Sequence, residues 1–219
     1  MVAREPKTLP EAHWSRELIR CQRDFPYLAS TYLKIKSRDK IGFPTLILNP
    51  VQQFLWKRIV DQWHRTGKVR QIWGKARQTG ASTLCRALSF HQTAFRPHRN
   101  AMLITHDEPT SYELFDIDQT FYDALPYQLR PATKYRAKTR MVFDGLNSKT
   151  TLGHALNVNV AAGQMVHILH LTEAARYRNA DEVQSSLFPA LSEAPDSIAI
   201  IESTAVYGGT WFKEFAEAA

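Results

Sequence analysis

Apolar and polar residues alternate along this chain in two different periods. Short apolar runs stand at 69–73 (Val-Arg-Gln-Ile-Trp), 101–105 (Ala-Met-Leu-Ile-Thr), 165–171 and 197–205. Strands buried on both faces of a parallel sheet read this way, with little polar interruption. Between and before them lie stretches with helical spacing. Residues 11–24 put Trp14, Leu18 and Ile19 on one side, and 25–35 can form a second short helix. A third helix begins at Pro50, with Asn49 as N-cap and proline in the first turn. Its predicted apolar stripe is Val51, Phe54, Leu55, Ile59 and Trp63. Further helices are predicted at 84–90, 110–125, 181–191 and from 210 onward. Short strands at 140–143 and 150–152 can pair as a hairpin through Asp144-Gly145, residues 1–10 read as a frayed arm, and 34–40 as a charged link. Strands alternating with helices predict an α/β fold, a parallel sheet with helices on both faces.

The link between the first apolar run and the helix that follows it is Lys75-Ala-Arg-Gln-Thr-Gly-Ala-Ser-Thr83. Strand, glycine-containing polar turn, then helix is the layout of a phosphate-binding loop. Its backbone N–H groups cradle the anion, and the helix N-terminus adds its positive end. The usual spacing is G-x-x-x-x-G-K-[ST]. Here Lys75 replaces the first glycine and Ala81 replaces the lysine, while Gly80 and the hydroxyl pair Ser82/Thr83 stay in register. A lysine at the front can still reach the outer phosphates on its long flexible stem.

Two later strand ends carry matching chemistry. The run from Met165 ends in Thr172-Glu173, and the run from Ser197 ends in Ser203-Thr204-Ala205. Ligands of open α/β sheets bind at the carboxyl ends of strands. In this order the pieces resemble the ATPase part of the large terminase subunit of tailed bacteriophages. Lys75 to Ser82 resembles a deviant Walker A, His170-Leu-Thr-Glu-Ala-Ala175 a Walker B, and Ile200 to Ala205, continuing through Gly208-Gly-Thr-Trp-Phe212, the coupling motif. The resemblance covers about residues 45–219. It implies a P-loop NTPase of the additional-strand, catalytic-glutamate type, with a helical N-terminal segment (1–48) beside an ATPase core (49–219).

The roles that follow are those of ATP hydrolysis with Mg²⁺, which needs charge neutralisation, a metal and an oriented water. The resemblance implies that 75–83, including Ala76, Gln78, Thr79, Gly80 and Ala81, enclose the phosphates. Lys75 neutralises them, Ser82 offers a hydroxyl to the metal with Thr83 as alternate, and Glu173 activates water. Arg77 is placed to contact the γ-phosphate or signal its loss, against the plainer reading of an outward ion pair. Thr172 stands where a metal-holding acid is usual; it can orient a metal-bound water but adds no charge. Gln52 and Gln53 are equally placed to read adenine. Ser203, Thr204 and Ala205 would sense the γ-phosphate. Some family members carry an arginine finger before Walker B, where this chain has Ala162-Gly163-Gln164. The basic alternatives are Arg136, Arg140, Arg176 and Arg178.

Charge divides unevenly. Residues 1–99 hold 19 Lys/Arg against 6 Asp/Glu, and 100–219 hold 9 against 15, so the basic half suits a polyanion such as ATP or DNA. The 44% hydrophobic and 22% charged composition is that of an ordinary globular chain. No apolar run approaches the ~20 residues of a membrane span, and the first residues are no secretory signal. Cys21 and Cys85 have no C-x-x-C spacing, so a reducing compartment is expected. His167 and His170, three apart on a strand, face opposite sides and make poor joint metal ligands. Asp116 and Asp118 point apart on a helix, so no nuclease activity is expected. In this family a nuclease domain usually follows the motor; the resemblance implies that residues 1–219 hold none, so that it would be truncated or separately encoded. The resemblance implies an ATPase that translocates double-stranded DNA into a procapsid. Its partners would be the capsid portal and the small terminase subunit, with the chain in a homo-oligomeric ring, a pentamer, when docked and compatible with a monomer in isolation. The place would be the host cytoplasm, with transient docking on the procapsid. The rivals are a DNA-binding or docking module with an inactive loop, and a helicase-like translocase, which normally requires a second motor lobe.

Overall fold

The apolar runs lie side by side in one seven-stranded sheet. The computed structural model describes residues 11–36, 42–157, 163–205 and 210–218. The arm at 1–10, most of the charged link, Ala162 and the Gly208-Gly209 pair lie outside the described residues. The strands are β1 (Val69–Lys75), β2 (Asn100–Thr105), β3 (Thr133–Arg136), β4 (Arg140–Phe143), β5 (Ser148–His154), β6 (Ile168–Thr172) and β7 (Ile198–Thr204), in the order β1-β7-β6-β2-β5-β4-β3. The first five in that order are mutually parallel. The last two are antiparallel additions. The sheet is therefore parallel through five strands, with the predicted hairpin across Asp144-Gly145 making it mixed. The cause is local, since the Asp144-Gly145 turn between β4 and β5 is far too short for a parallel crossover. β3, Thr-Lys-Tyr-Arg, is mostly exposed and has no apolar pattern, so only pairing at the sheet edge reveals it.

Strand alternation divides the core into two layers. Ala101 and Leu103 of β2, Ile168 of β6, and Ile198 and Ile200 of β7 face one side. There they meet α3 (Pro50–Thr66), α4 (Ala81–Phe95) and α5 (Glu108–Ala124). Their odd- or even-numbered neighbours Met102, Ile104, Leu169, Leu171, Ala199 and Ile201 face the other side. That side is covered by α6 (Ala180–Leu187) and α7 (Thr210–Glu217). The helix that follows the phosphate-type loop, α4, is buried from Leu84 to Phe95 on every side. Its outer surface is covered by α1 (Glu11–Arg23) and α2 (Phe25–Thr31), whose Cys21, Phe25 and Leu28 join the same cluster as Leu84, Leu88 and Phe95. A helix enclosed all round should be apolar all round, yet α4 carries Arg86, Ser89, His91, Gln92 and Thr93 inside.

Several predicted faces are rotated in the structure. On α3 the inward residues are Gln52 and Ile59, with Leu55, Trp56 and Trp63 partly buried, while Val51 and Phe54 are exposed. Leu18 and Ile19 of α1 are likewise exposed. The buried glutamine displaces the apolar stripe because it has bonds to make at the loop. The second helix stops at Thr31 rather than 35, because the chain turns there to pair Lys34 with Thr45.

Candidate nucleotide-binding site

The loop between β1 and α4 turns through two left-handed residues, Gln78 (φ 64°) and Gly80 (φ 79°). Gly80 is required for space as well as for φ. A Cβ there would lie 2.7 Å from Gln52 Nε2 and 3.3 Å from Asn49 Nδ2. Those two amides belong to the start of α3, which is closed by a reciprocal capping box. Asn49 Oδ1 accepts from Gln52 N, and Gln52 Oε1 accepts from Asn49 N, both at 2.9 Å. From that fixed base Gln52 Nε2 donates to Gly80 O (2.9 Å) and Asn49 Nδ2 to Thr79 O (3.1 Å). Of the two adenine candidates, Gln52 is buried with its amide engaged in clamping the loop. Gln53 is exposed and donates to Leu48 O at 2.7 Å. Gly80 offers α4 no side-chain cap, so the first N–H groups of that long helix keep their capacity to donate to an anion.

Below the loop lies a cluster of charge. Lys75 Nζ donates to Ser82 Oγ (2.7 Å), and Ser82 Oγ donates to Glu202 Oε1 (2.7 Å). Lys75 also forms ion pairs with Glu202 Oε2 and, at 3.6 Å, with Glu173 Oε1. Glu202 is fully buried, and its Oε1 accepts in addition from Thr172 Oγ1 (2.6 Å) and His170 Nε2 (3.2 Å). Burial pushes the Glu202 carboxyl up; the His170 contact and the Lys75 ammonium outweigh it and hold the group down at about 2. Burial pushes His170 down, so it is a neutral ring that serves as an N–H donor. Thr83 lines a separate cavity of about 160 Å³ with Lys34, Glu113 and Asp116, which leaves Ser82 as the hydroxyl of the cluster.

Glu202 is the residue that motif reading passed over. Topology puts it there: β7 lies between β1 and β6, and Glu202 is in register with Trp73 on one side and Thr172 on the other. A signal existed in the sequence. Alternation along Ile198-Ala-Ile-Ile-Glu202 places a carboxylate on the same buried face as Ile198 and Ile200, and a buried acid needs a partner.

Glu173 stands at the carboxyl end of β6 with a left-handed backbone (φ 54°), uncommon for a residue with a side chain. Its Oε2 accepts from Thr204 Oγ1 (3.0 Å) and from Arg176 Nε (3.3 Å). The turn it begins is fixed from three directions. Ala175 N donates to Ser203 Oγ (3.1 Å), Tyr177 Oη to Ile104 O (2.8 Å), and Trp211 Nε1 of α7 to Ala174 O (3.0 Å). Ser203 and Thr204 thus tie the end of β7 to the Glu173 turn, and α7 rests on that same turn. Ala205 is exposed just beyond them.

The remaining candidates are dispersed. Arg77 is exposed in the loop, and Ala76 and Gln78 are exposed beside it. Arg136 and Arg140 lie on β3 and β4 at the edge of the sheet opposite β1. Arg136 is paired with Asp123 there. Arg176 and Arg178 are exposed next to Glu173. Asp118 is buried against Arg86 while Asp116 is exposed, so the two point apart. His167 accepts from Asn100 N (3.2 Å) with its Nδ1, away from the His170 ring that meets Glu202. A larger cavity of about 670 Å³ between α2, α3 and α4 is lined by Trp56, Trp63, His91 and Arg96 and does not reach the loop. Among the described residues no helix is long and apolar enough to cross a membrane.

The sequence matches no family model and no curated protein. The fold does match solved structures. The large terminase of bacteriophage HK97 superposes with a TM-score of 0.67 at 12% identity, over 90% of this chain and 41% of that one. A mutant of the large terminase ATPase domain of Thermus phage P74-26 superposes with a TM-score of 0.53 at 19% identity, over 76% of this chain and 68% of that one. This chain thus spans about two fifths of the HK97 protein, and its fold is that of phage large-terminase ATPase domains.

Proposed function

We propose that this chain is an ATP-hydrolysing motor domain that drives double-stranded DNA into a viral procapsid. The observation that carries the reading is the convergence of Lys75, Ser82 and Glu173 beside an uncapped helix N-terminus at the carboxyl ends of β1 and β6. In this reading the 76–81 backbone and the start of α4 bind the phosphates. Lys75 leaves its carboxylate partners to neutralise the outer phosphates, and Ser82 turns its hydroxyl toward the metal. The donor set fits such a group, because a lysine ammonium already occupies the place between a hydroxyl and two carboxylates. A magnesium ion would supply further neutralisation of phosphate charge. Glu173 holds and deprotonates the attacking water, with Thr204 and Arg176 fixing its carboxylate. Because Thr204 and Trp211 both grip the Glu173 turn, a change at the γ-phosphate has a short mechanical route to α7.

The basic half of the chain supports a nucleic-acid track. The fold likeness to terminase ATPase domains supports the capsid portal, the small subunit and a ring of copies as partners. The test is phosphate release with Mg²⁺, with and without double-stranded DNA, by wild type and Glu173→Gln. Wild type should turn over and respond to DNA. Glu173→Gln should keep its nucleotide affinity while losing about 10²–10⁴-fold in rate. A folded wild type that releases no phosphate in any of these conditions, at concentrations where it assembles, would leave only the docking-module reading.

A further inference from the structure

Thr172 leaves this site one acid short, and the fold provides another from the neighbouring strand. We propose that Glu202 of β7 is the acidic group that holds the nucleotide-bound divalent cation, in place of an acid at the end of β6. The proposal deepens the ATPase reading and rests on it.

Three observations point this way. Glu202 Oε1 lies 2.7 Å from Ser82 Oγ and 2.6 Å from Thr172 Oγ1, so it joins the two positions expected to face the metal. Its other oxygen, Oε2, is buried, and among the described residues its partner is the Lys75 ammonium. That ammonium in turn touches Ser82 Oγ and approaches Glu173. A single positive charge therefore occupies the point where a hydroxyl and two carboxylates converge.

The cluster also explains how the site survives without its cation. Lys75 compensates Glu202 until phosphates draw the ammonium up into the loop, and the cation that comes with them inherits the vacated carboxylate. Among the described residues no three His, Cys, Asp or Glu side chains form a free-standing metal site. That suits magnesium, which usually takes one or two carboxylates and completes its shell with phosphates and water. The inferred site is thus complete only with nucleotide present.

The test measures binding rather than turnover. A fluorescent ATP analogue that cannot be hydrolysed is titrated into wild type, Glu202→Gln and Glu202→Asp, in EDTA and in Mn²⁺. Bound Mn²⁺ is followed by electron paramagnetic resonance. In wild type Mn²⁺ should tighten nucleotide binding. Glu202→Gln should bind nucleotide in EDTA at least as well as wild type and lose roughly 10–100-fold in Mn²⁺ affinity of the complex. Adding Thr172→Asp to Glu202→Gln should restore much of it, since the acid returns from the adjacent strand. Glu202→Asp keeps the charge opposite Lys75 and carries the test if Glu202→Gln does not fold; it should weaken Mn²⁺ selectively. Variants whose nucleotide affinity falls alike in EDTA and in Mn²⁺, or does not fall at all, would overturn the role of Glu202. A wild type that binds no nucleotide under any condition would instead overturn the ATPase reading beneath it.

Discussion

The first turn of α4 and the body of the same helix both bury polar groups, and they treat them differently. In the body, Arg86 Nε donates to Asp118 Oδ1 at 2.9 Å and Nη2 to Oδ2 at 2.5 Å, with both side chains inaccessible. His91 Nε2 meets Cys21 O at 2.9 Å, and Gln92 Nε2 meets the other ring nitrogen at 3.2 Å. These contacts link α4 to α5 and α1, and the side chains that make them are almost wholly inaccessible. Beneath the first turn the Lys75–Glu202 pair joins β1 to β7, and its lysine side chain remains partly accessible. The two charge pairs, Arg86–Asp118 between α4 and α5 and Lys75–Glu202 between β1 and β7, therefore differ in whether a partner is accessible. The body fixes the position of the helix; the pair beneath its first turn holds the cation that, under the proposed function, a nucleotide would displace.

The sharpest way to break that contrast is to remove one partner from each pair. Asp118→Ala leaves the Arg86 guanidinium buried and unpaired and should cost about 3–5 kcal/mol of stability. Lys75→Ala should cost less, because Glu202 keeps donors from Ser82, Thr172 and His170. Moreover, the Lys75→Ala penalty should shrink when Glu202→Gln is added, since the uncompensated charge is then gone. Urea denaturation of the four proteins at neutral pH measures this. If Lys75→Ala is the more destabilising of the two, or Glu202→Gln does not relieve it, the two pairs are not different in kind.

Acid should separate the regions next. Burial pushes His91 down to about 4, so it is neutral in the folded chain, whereas an unfolded histidine titrates near ~6.5. As pH falls, the unfolded state takes up the proton first. Stability from this group is therefore whole above the unfolded value and is lost as pH falls from ~6.5 to about 4, by roughly 3 kcal/mol in all. His170, also lowered by burial, adds a loss of the same sign. Glu202 behaves in a lower window: its depressed value makes its contribution whole above ~4.5 and lost toward about 2. Denaturation midpoints at pH 7 and 4.5 should fall less in His91→Gln than in wild type. An unchanged slope would remove His91 from the account.

The sequence made the sheet and the loop legible for a physical reason. Strands such as 101–105 and 197–205 are buried on both faces, and no helix-period pattern competes with them. Lys75, Ser82 and Glu173 were legible because each ends or follows such a strand. Other features depend on neighbours that the chain order hides. β3 has no apolar pattern of its own and exists through its pairing with β4. The inward face of α3 is turned by Gln52, whose reason for burial is the Gly80 carbonyl far along the chain. Glu202 was visible as a buried acid, but its meaning depends on β7 lying between β1 and β6, which strand order alone reveals.

The smallest expected effect concerns how the open site reports to the rest of the fold. Thr204 Oγ1 donates to Glu173 Oε2 at 3.0 Å from the end of β7, two residues beyond Glu202. Thr204→Val keeps shape and burial and removes the hydroxyl. A hydrogen bond to a charged group is worth about 1.5–3 kcal/mol, which is a factor of about 12–160 if all of it is felt in the hydrolysis step. Nucleotide affinity should hardly change, because Thr204 is bonded to the acid proposed to orient water and not to the loop. Ser203→Ala is the matched comparison: its hydroxyl accepts from Ala175 N and donates to Thr204 O, so it supports the turn without touching the carboxylate. If Thr204 positions Glu173, Thr204→Val should lower kcat with an unchanged KM and little loss of stability, while Ser203→Ala should lower stability first. Equal effects of the two variants on kcat and on melting temperature would mean that β7 only packs against the Glu173 turn. The proposed site would then bind its ligand without passing a signal from Glu173 through β7.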